Sequence, residues 1–409
     1  MIKKIVSNEL VRGSFVLFIA FNIFNILNFV FQFSMARMLG PVEYGVFAVL
    51  MSMLYFMAIP SDSIQTIVSR YTSKFNVKEE NGKIKSLITK SLKKGILFAF
   101  LIYLLLMPFF YLFSYFLNIS FFLVLLTGLM LFTFFLIPTT RGVLQGQKRF
   151  NSLGINMVLD SGIKVLISLY LVFIGWSVYG AVSSILLGSF IALVLSFIPL
   201  RKTLSEKSKS ANFSGIYQYS SPIVFSILAI LLMQSLDVIL AKRFFSPEIA
   251  GQYAVANLIG KMIFFGTLAI SKSMFPLSSE KFDGGRNTNK IFYRSLIIVL
   301  FLCVSALLVL LLFPELFIKI LFGEQYLPVS NILFNMGLAF SFISLSNLVV
   351  LYCISVNRKI NTFYMAGFVI IQIILLWLFK SSLYSFSIAM MISSLLLFIG
   401  SLIIIKKGK

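Results

Sequence analysis

The chain has 409 residues, of which 59% are hydrophobic and 12% charged, about half the charged share of a soluble protein. Thirty-five Lys and Arg against 13 Asp and Glu give a net charge of +22, with no histidine and two cysteines. This composition excludes a soluble globular domain, histidine-based metal sites, general bases or proton relays, a disulfide framework and a zinc site.

Apolar runs of roughly 20 residues, the length that crosses a bilayer as a helix, recur along the whole chain. Backbone groups in lipid must be satisfied within their own segment, so these runs are helices. Closing each run at charge, Pro or Gly places twelve spans at 14–36, 44–70, 95–116, 119–141, 151–174, 178–199, 214–242, 248–276, 291–313, 329–354, 361–379 and 383–405. The fold class is all-α and polytopic. The first run follows Lys3, Lys4 and Arg12 but is too long for a signal peptide and lacks an Ala-x-Ala site, so it is expected to stay as a span.

Between the first two spans Gly40-Pro41 forces a turn, because Pro fixes φ and pushes the preceding residue out of the helical region. The turn has an echo 206 positions on: Arg37 matches Arg243, Pro41 matches Pro247, Gly45 matches Gly251 and Ala48 matches Ala254. An offset of half the length points to two like halves of six spans, 1–200 and 213–409, joined by a polar Ser- and Lys-rich linker, 201–212. Between the second and third spans, 82–94 alternates Ile84, Leu87, Ile88 and Leu92 with five lysines. That pattern suits a basic helix lying on anionic membrane lipid, and equally a solvated loop. The connections Ser114–Ile119 and Gly175–Val178 are short enough for tight hairpins.

Twelve spans put both termini on one side, and the loops sort by charge. Twenty-seven of the 35 basic residues fall on the terminal side, Arg141 among them, and five on the other: Arg37, Lys242, Arg243, Lys319 and Lys380. Basic loops stay in the cytoplasm. The expected location is the cell (plasma) membrane, multi-pass, with cytoplasmic termini. The same rule accounts for the net charge without nucleic acid.

Charges inside spans are costly and mark function; there are six. The eighth span carries Asn257, Lys261 and Lys272 on one face, at steps of four and eleven. The fifth carries Asn156, Asp160, Lys164 and Ser168, four apart. There Asp160 and Lys164 either pair with each other, or Lys164 binds an anion that Asp160 orients. The first span lines up Asn22, Asn25, Asn28 and Gln32, amides that join helices or offer donors and acceptors to sugar hydroxyls. The second carries Asp62 after Pro60, and the seventh carries Gln234 and Asp237. Asp62, Asp160 and Asp237 are candidates for coupling to Na⁺ or H⁺, or for pairing with the lysines. Each half holds six spans, an even number, so the halves insert the same way and make a parallel repeat, the arrangement of some transporters with a site near mid-membrane. The stripes would line a hydrated, partly cationic cavity between two lobes, suited to a bulky polar solute with an anionic group.

The stretch Ala36-Arg37-Met38-Leu39-Gly40-Pro41-Val42-Glu43-Tyr44-Gly45 resembles the first-hairpin motif of polysaccharide-biosynthesis flippases. These belong to the multidrug/oligosaccharidyl-lipid/polysaccharide exporter superfamily. Gly251-Gln252-Tyr253-Ala254 through Lys261, then Phe275-Pro276, resembles the corresponding region of the second half. The resemblance implies two six-helix bundles that carry a polyprenyl-pyrophosphate-linked oligosaccharide from the cytoplasmic to the outer leaflet by alternating access. By analogy Lys164, Lys261, Lys272 and Asn257 meet phosphate or acidic sugar, and Asn22, Asn25, Asn28 and Gln32 meet sugar. Glycan-assembly proteins would be further partners. There is no nucleotide-binding loop, so ATP is not the direct driver unless a partner supplies it; no cofactor and no metal is expected. A cation-coupled multidrug exporter of the same superfamily stays open as the alternative. A membrane glycan polymerase or glycosyltransferase is disfavoured, because the longest outer loop, 314–328, has only Glu315 and Glu324 as carboxylates; the chain is read as no enzyme.

Overall fold

The computed structural model describes residues 9–209, 228–356, 358 and 362–407. Its long elements are all helices. Helix α1 (Glu9–Met57) holds the first span and the start of the second in one run, bent at Gly40 with φ 71° and ψ 172°. That φ is open to glycine and strained for other residues. Pro41 then starts the second arm at a position where a missing N–H is tolerated. Helix α2 (Ile59–Val77) completes the second span after a turn at Ala58 and the break caused by Pro60. Near that break Ser61 Oγ donates to the Phe134 carbonyl at 2.9 Å.

Helix α3 (Asn81–Leu105) runs without interruption from the lysine-rich stretch into the third span. It meets α4 (Met107–Leu117) at a 48° bend just before Pro108. The basic stretch 82–94 is therefore helical, with Ile84, Leu87 and Ile88 fully buried on one side. The fourth span is α5 (Phe121–Gly128) followed by α6 (Met130–Gly146), and the fifth is α7 (Phe150–Leu171). A widened turn, Val172–Trp176, leads to the sixth span, α8 (Ser177–Ser196), before a short α9 (Arg201–Ser205). Both expected hairpins are present. Asn118 takes the left-handed conformation at the end of α4, and Gly175 has φ 92° in the second turn.

The seventh span is described from residue 228, breaks at 234–235 and resumes as α10 (Leu236–Phe244). The eighth is α11 (Pro247–Asp283) and the ninth α12 (Asn289–Leu312). A short α13 (Pro314–Leu321) and a 3₁₀ stretch, Glu324–Ile332, lead into α14 (Leu333–Ser355). Helices α15 (Thr362–Leu378) and α16 (Leu383–Lys407) end the chain. Counting each bent or broken run as one crossing, the described residues supply eleven of the twelve expected spans and the later part of the seventh. The beginning of the seventh and the linker residues 210–212 lie outside the described residues.

The chain divides into two compact units, Met1–Leu39 with Met53–Gln218, and Gly40–Ser52 with Tyr219–Lys409. The sequence halves would place 40–52 in the first unit; the structure groups this hairpin tip with the second. The repeat itself supplies the reason. A Cβ on Gly45 would stand 3.0 Å from the Gly251 backbone and 3.5 Å from the Pro247 carbonyl. A Cβ on Gly251 would overlap the Pro41 carbonyl at 1.6 Å. Pro41 thus faces Gly251 while Pro247 faces Gly45, so the two copies of the motif meet reciprocally, backbone to backbone. Tyr44, fully buried beside them, packs edge-on against Tyr326 at 6.3 Å.

Candidate functional site

The intramembrane charges sort into one cluster per unit. In the first unit Asp160 and Asn156 lie one turn apart on α7, facing α6 and α8. Arg141 of α6 donates through Nη2 to Asp160 Oδ2 at 2.8 Å and through Nε to Asn156 Oδ1 at 2.8 Å. Asn156 Nδ2 donates to the Ala192 carbonyl at 2.7 Å, and Ser189 Oγ donates to Asp160 Oδ1 at 3.3 Å. Arg141 is thus a correction to the sequence reading, which took it for a solvated loop charge. Its side chain is only 12% exposed, because helix α6 continues five residues beyond it and turns it onto α7.

The ion pair at Asp160 is therefore made with Arg141, and not with its neighbour Lys164. One turn further along α7, Lys164 Nζ donates to Asn28 Oδ1. The same ammonium lies 4.8 Å from the centre of the Phe31 ring, where the ring quadrupole attracts a cation. Asn28 Nδ2 meanwhile donates to the Phe24 carbonyl at 2.8 Å, which fixes which of its ends faces the lysine. The structure thus joins Lys164 to one of the four amides expected on the first span. Asn22 is exposed and donates to the Phe18 carbonyl at 2.7 Å, Asn25 is half-buried and Gln32 is buried. Asp62 is exposed in the first turn of α2, and its backbone carbonyl accepts from Thr66 Oγ1 at 2.8 Å.

In the second unit Asp237 is fully buried at the start of α10. Its Oδ2 accepts from Tyr253 OH at 2.9 Å and from Asn257 Nδ2 at 2.7 Å, both on α11. Lys261, buried one turn beyond Asn257, contributes an attractive charge to Asp237. The break at 234–235 frees backbone carbonyls, and side-chain amides from two other helices take them up. Asn257 Nδ2 reaches the Gln234 carbonyl at 3.3 Å, and Gln372 Nε2 of α15 reaches the Met233 carbonyl at 2.9 Å. Two oxygens at this break, Asp237 Oδ1 and Gln372 Oε1, are buried without a hydrogen-bond partner among the described residues.

Lys272 does not join this cluster. It shares the face of Lys261 on α11, but eleven residues along the helix carry it about 16 Å away, where it is exposed. Gln372 and Tyr253 are the residues missed. Gln372 is a lone amide in the apolar run of α15, and that isolation is the signal that could have found it. No group of three or more His, Cys, Asp or Glu suited to a metal occurs among the described residues.

Residues 34–331 match the family model described as "Polysaccharide biosynthesis protein". No curated protein matches the chain in sequence. Among solved structures, an inward-facing multidrug resistance MATE family transporter of the MOP superfamily aligns with TM-score 0.74 at 13% identity. That alignment covers 94% of this chain and 95% of that one. A eukaryotic MATE transporter aligns with TM-score 0.67 at 13% identity over 98% and 97% of the two chains. A MOP superfamily transporter from Pyrococcus furiosus, described as having a binding pocket of reverse polarity, aligns with TM-score 0.62 at 14% identity, covering 98% and 95%. At these identities the likeness shows the fold.

Proposed function

The chain belongs to the polysaccharide biosynthesis protein family, and we propose that it moves a lipid-linked oligosaccharide from the cytoplasmic to the outer leaflet of the cell membrane. The observation that carries the reading is the pair of intramembrane lysines: Lys164, bonded to Asn28, and Lys261, buried where its charge acts on Asp237. A lysine inside a bilayer is expensive unless it meets water, an acid or an anion. The polyprenyl pyrophosphate supplies such an anion, while its tail remains in lipid. Asn28, already bonded to Lys164, would pass its acceptor to a sugar hydroxyl when the ammonium turns to phosphate. Both termini lie in the cytoplasm on this reading, and the transport cycle is alternating access.

Asp237 is the coupling residue. Supporting this is the Oδ1 of Asp237, buried near a helix break without a hydrogen-bond partner among the described residues. A proton or Na⁺ bound there would compete with Lys261 for the carboxylate and so free the lysine for substrate. The fold shared with MATE transporters is what favours a multidrug exporter. An excess of lysine over free carboxylate fits it poorly, because Asp160 is consumed by Arg141.

Complementation tests the reading. In a host lacking its own glycan flippase, the unaltered chain restores surface glycan, while Lys164→Ala and Lys261→Ala reduce it at least tenfold with accumulation of the cytoplasmic lipid-linked intermediate. If the unaltered chain fails with every matched substrate yet confers cation-dependent drug resistance, it is an exporter. If both variants transport like the parent, the lysines lie off the path.

A further inference from the structure

The lysine-rich start of α3 and the linker between the sequence halves are two segments 120 residues apart that the first unit holds together. Lys209 N donates to the Gly82 carbonyl at 3.0 Å, and Lys85 Nζ donates to the Glu206 carbonyl at 2.8 Å. Gln147 Nε2 donates to Thr203 Oγ1 at 3.0 Å. The approach is tight: a Cβ on Gly82 would stand 2.4 Å from the Lys207 carbonyl. The linker is therefore a docked strap.

Docking places exposed Lys202, Lys207 and Lys209 on the same unit as exposed Lys90, Lys93 and Lys94 of α3. The nearby carboxylates are Glu79, Glu80 and Glu206, and Glu80 is taken by Lys83 at 2.7 Å. Helix α3 then continues directly into Ile96, Leu97, Phe100 and Leu101, all about half exposed and so facing lipid. At 1.5 Å per residue, Lys90 to Lys94 stand within about 9 Å of Ile96. That is close to the depth of one headgroup layer, roughly 5–7 Å, plus the reach of a lysine.

We propose that the docked linker and the first half of α3 form one binding surface for the phosphate headgroups of anionic phospholipid in the cytoplasmic leaflet. The linker adds charge to the helix, and the lipid in turn holds the linker down. The six lysines are exposed, so their replacement by glutamine leaves the fold intact.

The test uses the full chain reconstituted in phosphatidylcholine vesicles with spin-labelled phosphatidylglycerol or phosphatidylcholine, reading the fraction of each probe immobilised at the protein. The helix triple Lys90→Gln, Lys93→Gln, Lys94→Gln and the linker triple Lys202→Gln, Lys207→Gln, Lys209→Gln each lower the preference for phosphatidylglycerol at least about fivefold. A control triple of equal charge in the second unit, Lys281→Gln, Arg286→Gln, Lys290→Gln, lowers it less than roughly twofold, because those residues are no part of the proposed surface. A control loss as large as the others shows diffuse attraction to every basic loop and overturns the proposal. An unchanged linker triple removes the strap from the site. Tighter binding of polyprenyl pyrophosphate than of phosphatidylglycerol to the same six lysines assigns the surface to substrate instead, and the proposal fails.

Discussion

Asp160 accepts from Arg141 and Ser189 inside the membrane-spanning part of the first unit, and this sets what a substitution there does. Removing one member of a buried ion pair leaves a charge uncompensated and costs about 3–5 kcal/mol, whereas removing both is often close to neutral. Arg141→Met is thus expected to lower the unfolding midpoint in detergent by many degrees, and Arg141→Met with Asp160→Leu to recover most of it. If the double variant is no more stable than the single one, the pair is not the reason. The exposed pair Lys319 and Glu324, 2.5 Å apart, behaves differently. Their hydrogen bond holds the Glu324 carboxyl below, and the Lys319 ammonium above, their ordinary values. A lowered carboxylate contributes stability above its unfolded value and loses it as pH falls through the folded one; the raised lysine loses its share only as pH rises through its folded value. Both groups are solvated, so the contribution is small. Glu324→Gln should lower the midpoint at neutral pH only slightly, and that small difference from the parent should vanish as pH falls through the Glu324 value or rises through that of Lys319. Asp160 also shows where reading by residue stops. Spacing of four along α7 correctly put Asn156, Asp160 and Lys164 on one face. What faces them depends on α6 and α1, and a rule about one helix carries no information about its neighbours.

At the scale of elements, apolar length and the Pro and Gly positions located the spans, since lipid leaves the backbone little choice. Gly40-Pro41 and Pro60 announced their bends. The break at 234–235 was hidden, because Met233-Gln234-Ser235-Leu236 contains neither residue and the helix opens only where Asn257 and Gln372 stand ready to bond the freed carbonyls. Helix α3 begins about four turns before the apolar run of the third span, at Asn81, because lysine ends an apolar run without ending a helix. The meeting of Pro41–Gly45 with Pro247–Gly251 gives a graded expectation. A methyl at Gly251 overlaps a carbonyl oxygen, while one at Gly45 only crowds the Gly251 backbone. Overpacking costs roughly 1–3 kcal/mol. Gly251→Ala should fall at the upper end or beyond it, and Gly45→Ala at the lower end, in chemical or thermal unfolding. The reverse order would mean that the packing of the hairpins is set elsewhere.

For the whole molecule, a chain sharing only 13–14% identity with solved transporters keeps their fold over nearly its full length. What persists is the number and spacing of apolar spans, which membrane thickness constrains far more than side-chain identity does. The distribution of charge predicts an orientation that labelling can check. Both native cysteines, Cys303 and Cys353, are buried and silent. A cysteine at Lys83 or Lys207 should react with an impermeant maleimide only after the cytoplasmic face is opened. One at Lys319 or Lys380 should react in intact cells. The opposite pattern would invert the topology and, with it, the direction proposed for transport.

The reciprocal contact of Gly45 and Gly251 also bears on how such a chain can change over generations. Two copies of a duplicated motif usually drift apart, each answering to its own surroundings. Here each copy is the surroundings of the other. A side chain on Gly251 would run into the Pro41 carbonyl whatever stands at position 45, and one on Gly45 would crowd the Gly251 backbone, so neither position has room to grow. The duplication is thereby held in step at these two positions long after the rest of the halves have lost their likeness.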